Sequence, residues 1–136
     1  MKKVTYLYVL LFVTFASALT VPKALRDAWS TLSTPFYNKC MCKTGVNTTL
    51  ASGYINNIKC TSDRNFKCFI KCIFTNIGLM DTFGVLQQSV WMEKVAGVTP
   101  AIYQKCNGVF CGDTDICDIA YEFYECITYM LLDYSS

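Results

Sequence analysis

Hydrophobic positions recur at helical spacing along nearly the whole chain. Leu25, Trp29, Leu32, Phe36 and Cys40 follow one another at intervals of four, three, four and four, which is one apolar face of a helix. Pro35 falls inside that stripe and predicts a kink or restart beside Ser33 and Thr34. A short helix is expected after Asn47 or Thr48, running toward Tyr54 and weakened by Gly53. The strongest stripe is Phe66, Phe69, Ile70, Ile73, Phe74 and Ile77, preceded by the capping candidates Thr61, Ser62 and Asp63 and stopped by Gly78. After a turn over Asp81–Gly84, the run Val85 to Ala96 is helical in character and Gly97 closes it. Thr99-Pro100 opens a short helix, a capping hydroxyl followed by proline in the first turn. The last helix begins around Asp113–Asp115 and carries Ile116, Ala120, Phe123, Ile127 and Met130 as its buried face. Asp113, Asp115 and Asp118 cluster at its start, where the helix dipole favours negative charge. The pattern predicts an all-α domain: a compact bundle of about six helices.

The first residues follow a different pattern. Lys2 and Lys3 precede an almost wholly apolar run from Val4 to Ala16, and Ala16-Ser17-Ala18 supplies the small-x-small sequence read by signal peptidase. At 13 residues the run is short of the ~20 that a membrane-spanning helix needs. Residues 1–18 are therefore expected to be a signal peptide, and residues 19–136 a single secreted, extracellular domain. The competing reading is an uncleaved anchor.

Charge and histidine content narrow the function. Lys2 and Lys3 are the only charges in the leader, so the remainder carries ten basic and ten acidic residues. A balanced surface argues against nucleic-acid binding and against a polybasic membrane binder, and no other apolar stretch is long enough for stable membrane insertion. The chain contains no histidine, which removes the general base of serine-protease, papain-like and two-histidine ribonuclease sites. Carboxylate chemistry stays formally open through Glu93, Glu122 and Glu125, but the spacing of Glu122 and Glu125 reads more simply as a solvated helix face. No enzyme, catalytic residue or cofactor is expected.

Nine cysteines, at positions 40, 42, 60, 68, 72, 106, 111, 117 and 126, all follow the leader. In an exported chain this density reads as a disulfide framework. Zinc is disfavoured by the lack of histidine and of any C-x-x-C pair. Cys68 and Cys72 share one helix face, each able to reach a different neighbour, whereas Cys117 and Cys126 point to opposite sides of the last helix. Each closed loop contributes roughly 3–4 kcal/mol in the chain-entropy view. Such cross-links let a small bundle tolerate an incompletely filled interior, which is the requirement for an apolar cavity.

The order Cys40, Cys68-x3-Cys72, Cys106, Cys117-x8-Cys126 resembles the six-cysteine signature of the insect odorant-binding proteins (pheromone and general odorant-binding proteins). The flanks agree: Cys40-Met-Cys42-Lys-Thr-Gly-Val46, Lys67-Cys68-Phe69-Ile70-Lys71-Cys72, Gly78-Leu79-Met80-Asp81 with Gly84, and Cys117-Asp118-Ile119-Ala120-Tyr121. Six cysteines alone admit 15 pairings. The resemblance implies Cys40–Cys72, Cys68–Cys117 and Cys106–Cys126. Cys40 continues the apolar stripe of its helix, and Cys42, about 200° away around the axis, is expected to face outward. Cys42, Cys60 and Cys111 are surplus to the pattern, so a Cys42–Cys60 bridge and a homodimer through a surplus cysteine are both open expectations.

By this resemblance the protein carries small hydrophobic molecules, odorants, pheromones or similar, through aqueous fluid, with olfactory transport as the expected setting. Candidate lining residues are Trp29, Phe74, Leu79, Met80, Phe83, Leu86, Val90, Trp91, Phe123, Ile127 and Met130, each of which could equally be plain core. Tyr124 and Tyr129 could offer hydroxyls to a ligand, and the tail Leu131-Leu132-Asp133-Tyr134 could fold over the cavity mouth. Two other readings compete: a secreted gland or venom interaction protein on the same scaffold, and an unrelated helical bundle with a solid core.

Overall fold

The computed structural model describes residues 20–55, 61–109 and 115–132. These residues form six helices: α1 (Lys23–Thr44), α2 (Thr48–Gly53), α3 (Arg64–Ile77), α4 (Gln88–Lys94), α5 (Pro100–Asn107) and α6 (Ile116–Met130). The leader at residues 1–18, Cys60, Cys111, Asp113, and Asp133 and Tyr134 of the tail lie outside the described residues.

Local chemistry sets the helix ends. Asn47 accepts from the backbone N–H of Thr49 (2.8 Å), Asp63 from that of Phe66 (2.8 Å), Thr99 from that of Ile102 (3.2 Å) and Asp115 from that of Cys117 (2.9 Å). Each satisfies a first-turn donor that has no intrahelical partner. Gly78 stops α3 at φ 94°, a conformation that a β-carbon disfavours.

Two expectations need correction. Of the kink or restart expected at Pro35, the restart does not occur, since α1 runs through it as one helix. Proline deprives the Thr31 carbonyl of its partner, but the cost is local: Ser33 donates to the Trp29 carbonyl and Thr34 to that of Ser30 (2.6 Å), while both halves of the helix are anchored in the core through Trp29 and Cys40. The helix expected over Val85 to Ala96 is shorter, because the Asp81 carboxylate accepts from Phe83 and Val85 N–H (both 2.9 Å) and holds residues 81–85 as a turn. An antiparallel bridge between Met80 and Leu86 closes that turn.

α3 lies at the centre, packed chiefly against α6 and α1. Its apolar face, from Phe66 through Phe69, Ile70, Ile73 and Phe74 to Ile77, is buried along its full length. Cys40–Cys72 joins α1 to α3, Cys68–Cys117 joins α3 to α6, and Cys106–Cys126 joins α5 to α6, with Cα separations of 5.6, 4.7 and 5.6 Å. The α3–α6 seam is also charged at one end: Lys67 donates to Asp118 (2.9 Å) and lies over the Tyr121 ring (5.3 Å), and Arg64 pairs with Asp115 (2.7 Å). Cys42 is an exposed free thiol, and the expected bridge from it to Cys60 falls on a position outside the described residues. No described helix is long and apolar enough to cross a membrane.

Candidate functional site

Between α1, α3 and α6 the interior leaves a cavity of about 50 Å³, room on the order of a few water molecules. α1 contributes Trp29, Leu32 and Ser33, α3 contributes Ile73, Phe74 and Ile77, and α6 contributes Tyr124, Ile127 and Thr128. The circle is completed by Leu79, Trp91 and Val95 on the α4 side and by Tyr54 and Ile55 just after α2. These positions come together because three stripes of helical period converge on one axis, held in place by the bridges among α1, α3 and α6.

The lining is apolar apart from hydroxyls and indole N–H groups, and every one of those donors is committed within the protein. The Trp29 indole donates to the Ala96 carbonyl (2.9 Å) and the Trp91 indole to that of Leu79 (2.9 Å). Ser33 donates to the Trp29 carbonyl, Tyr54 to the Ser33 hydroxyl, Tyr124 to the Tyr54 carbonyl and Thr128 to the Glu125 carbonyl (2.9 Å). Among the described residues no buried side-chain nitrogen or oxygen lacks a partner. Burial pushes the Tyr54 phenol up to about 12, only partly offset by its bond to Ser33. Burial, with Tyr54 close by, likewise pushes Tyr124 far above the ordinary phenol range, so both stay neutral at physiological pH.

Of the eleven candidate residues, Trp29, Phe74, Leu79, Trp91 and Ile127 lie in this wall. Met80 and Phe123 are buried but belong to the solid core beside it, Phe123 stacking edge-on with Trp91 (4.8 Å) and Tyr103 (5.4 Å). Leu86, Val90 and Met130 are half-buried and pack on the outside of that core. Phe83 sits at the tip of the Asp81 turn, 84% exposed, and does not reach the cavity. Tyr129 is also exposed, leaving Tyr124 as the interior hydroxyl of the pair. Leu131 and Leu132 are half-buried, Leu131 against the turn at Gly97.

Sequence reasoning missed Leu32, Ser33, Tyr54, Ile55, Ile73, Ile77, Val95 and Thr128 as lining. Leu32, Ile73 and Ile77 stood in recognised stripes, so the signal for them was present. Nothing local marks Ser33 or Thr128, polar residues inside an apolar site. Beyond Tyr54 and Ile55 lies an open groove of about 310 Å³ lined by Ser30, Ser33, Thr34, Tyr37, Asn38 and Ser52, so Ser33, Tyr54 and Ile55 form a partition between groove and cavity.

Residues 24–129 match the PBP/GOBP family, and that match takes in all six helices save the first residue of α1 and the last of α6. The chain belongs to the PBP/GOBP family. This is a family of small-ligand carriers rather than of enzymes. Among curated members, the chain is 30% identical to general odorant-binding protein 69a of Drosophila melanogaster over 94 residues, covering 65% of this chain and 61% of that protein. It is 29% identical to general odorant-binding protein 57c of the same species over 73 residues, covering 49% of this chain and 46% of that one. The chain thus spans about three fifths and about half of the length of these curated relatives. The fold recurs in the family's solved structures. A fatty acid binding protein from the oral disk of the blowfly Phormia regina superposes with TM-score 0.57 at 24% identity, over 72% of this chain and 87% of that one. An odorant-binding protein of Locusta migratoria gives 0.54 at 21% identity, over 79% of this chain and 82% of that one.

Proposed function

We propose that this PBP/GOBP-family protein is a secreted carrier that takes up small hydrophobic molecules, odorants, pheromones or similar, in the cavity between α1, α3 and α6. The observation that carries the reading is the convergence of apolar side chains from three cross-linked helices on a cavity with no charged residue in its wall. The driving force is desolvation, about 0.8 kcal/mol per ligand methylene removed from water. Association entropy offsets several kcal/mol of that, leaving affinities on the order of micromolar.

At about 50 Å³ the cavity is smaller than such a ligand, so binding enlarges it. The partition yields first, because Tyr54 and Ile55 follow α2, a helix of only six residues. A ligand passes from the polar groove across Tyr54 into the apolar interior, and the side chains close behind it. Cys42, the exposed thiol, lies four residues along α1 from Asn38 of the groove, and a non-reducing gel of wild type beside Cys42→Ser reads whether two chains join through it.

Displacement of a fluorescent apolar probe from the delipidated, oxidised protein tests the function. Micromolar uptake competed by volatile alcohols or esters is the expected result. No uptake by a correctly bridged monomer would overturn the reading and favour an interaction protein with a filled core.

A further inference from the structure

The hydrogen-bond pattern of the lining has a direction. Six side chains facing the cavity carry an N–H or O–H group: Trp29, Ser33, Tyr54, Trp91, Tyr124 and Thr128. All six give their proton to a protein oxygen, five of them to backbone carbonyls and Tyr54 to Ser33. What remains for a ligand is acceptor capacity, the free lone pairs of four hydroxyl oxygens, which form only a small part of an otherwise apolar wall. No Lys or Arg is in the wall, and the chain contains no histidine. Lys94, beside the lining residue Val95, is exposed and donates to the Ile77 carbonyl at 3.3 Å.

We infer that the cavity selects neutral ligands whose polar group donates a hydrogen bond, aliphatic alcohols above all, over acceptor-only esters and over carboxylates. An alcohol that gives up water can donate its proton to a lining hydroxyl. A buried ester finds no free donor unless one of the internal bonds breaks, and an unmade hydrogen bond of this kind is worth about tenfold in affinity. A carboxylate loses its hydration with no cation to replace it and is excluded more strongly. Neither phenol ionises in the working range, so the site itself contributes no titration there. This inference rests on the carrier reading above.

The test uses the protein with its three bridges intact, loaded with the apolar probe N-phenylnaphthylamine and competed by octanol, methyl heptanoate and octanoate at pH near 8. The expected order is octanol about tenfold tighter than the ester, with octanoate weakest. Lowering pH from about 8 to about 4 protonates the acid into a neutral donor, and its affinity should rise toward that of octanol while octanol's stays level. Thr128→Val removes an accepting oxygen, and Ser33→Ala removes another while releasing the Tyr54 proton for an ester; both are close to isosteric and should narrow the alcohol-to-ester ratio. Two different variants guard against one failing to fold. Octanoate binding as tightly as octanol near pH 8, or the ester matching the alcohol, would overturn this inference while leaving the carrier intact. Failure of the probe to bind at all would overturn both.

Discussion

Two segments close the cavity beside the three cross-linked helices, and they are held by different physics. On the α4 side, Trp91 is 3% exposed, its ring set edge-on between Phe74 (5.0 Å) and Phe123 (4.8 Å) and its indole N–H fixed to the Leu79 carbonyl. The Trp29 indole fastens the following turn through the Ala96 carbonyl. On the α2 side, Tyr54 makes one aromatic contact with α3 (Phe69, 5.6 Å) and one with α6 (Tyr124, 6.1 Å), and hydroxyl bonds to Ser33 and from Tyr124 bind its two ends. A buried indole wedged between two rings is worth several kcal/mol, whereas each hydrogen bond nets about 1 kcal/mol. If the cavity takes up a ligand as proposed, the contrast teaches which wall it would push aside: the α4 side is a keystone, the α2 side a latch.

The sharpest way to break this comparison is to remove the keystone. Trp91→Ala should cost about 3–5 kcal/mol in urea unfolding, and the rings of Phe74 and Phe123 would lose their shared partner. A loss below about 1 kcal/mol would mean that the α4 side is no better held than the α2 side. Next comes the frame itself. Replacing Cys106 and Cys126 together by Ser opens a loop spanning 20 residues and should cost about 3 kcal/mol, read in the same unfolding experiment. Since neither cysteine lines the cavity, ligand selectivity should survive it.

The latch separates into unequal halves. Tyr124→Phe leaves the Tyr54 carbonyl without its donor and should cost about 1–3 kcal/mol, while Tyr54→Phe leaves Ser33 still bonded to Trp29 and should cost about 1 kcal/mol. Ligand exchange measured by stopped flow should quicken in both variants; an unchanged rate would place the passage elsewhere. The smallest effect concerns pH. The Arg64 guanidinium, with backbone donors at the start of α6, holds the Asp115 carboxyl below its ordinary value. A depressed folded-state pKa gives stability that is present above the unfolded value, about 4, and is lost as pH falls further. Asp115→Asn, which keeps a capping side chain, should therefore flatten part of the acid-side fall in melting temperature. At the other extreme, Lys67 is raised by its bond to Asp118, so the contribution of that pair persists until strongly alkaline pH.

How much of this was legible beforehand follows from what kind of interaction each feature depends on. Helix ends were readable because caps are local: Asn47, Asp63, Thr99 and Asp115 each act within three residues of themselves. The six-helix bundle and its three bridges agree with what the cysteine resemblance implied. The cavity was only half legible, because periodicity identifies an apolar face without telling which turn of it meets side chains and which meets a gap. Phe74 and Ile77 are neighbours on one stripe, and only the former was singled out. Phe83 misled because a large aromatic in an apolar run reads as core, while the Asx bonds of Asp81 turn the backbone there toward solvent. Ser33 and Thr128 were invisible for the converse reason: helical hydroxyls can return their proton to the preceding turn and so enter an apolar wall without an orphaned donor.

The placement of Trp29 and Trp91 has an optical consequence. They are the only two tryptophans in the chain, and both line the cavity, one on α1 and one on α4. The intrinsic emission of the protein therefore comes almost entirely from the walls of this cavity, with no distant indole to dilute the signal. A ligand entering the cavity as proposed would change the colour of that light, and the Trp29→Phe and Trp91→Phe forms would divide it into a separate report from each indole.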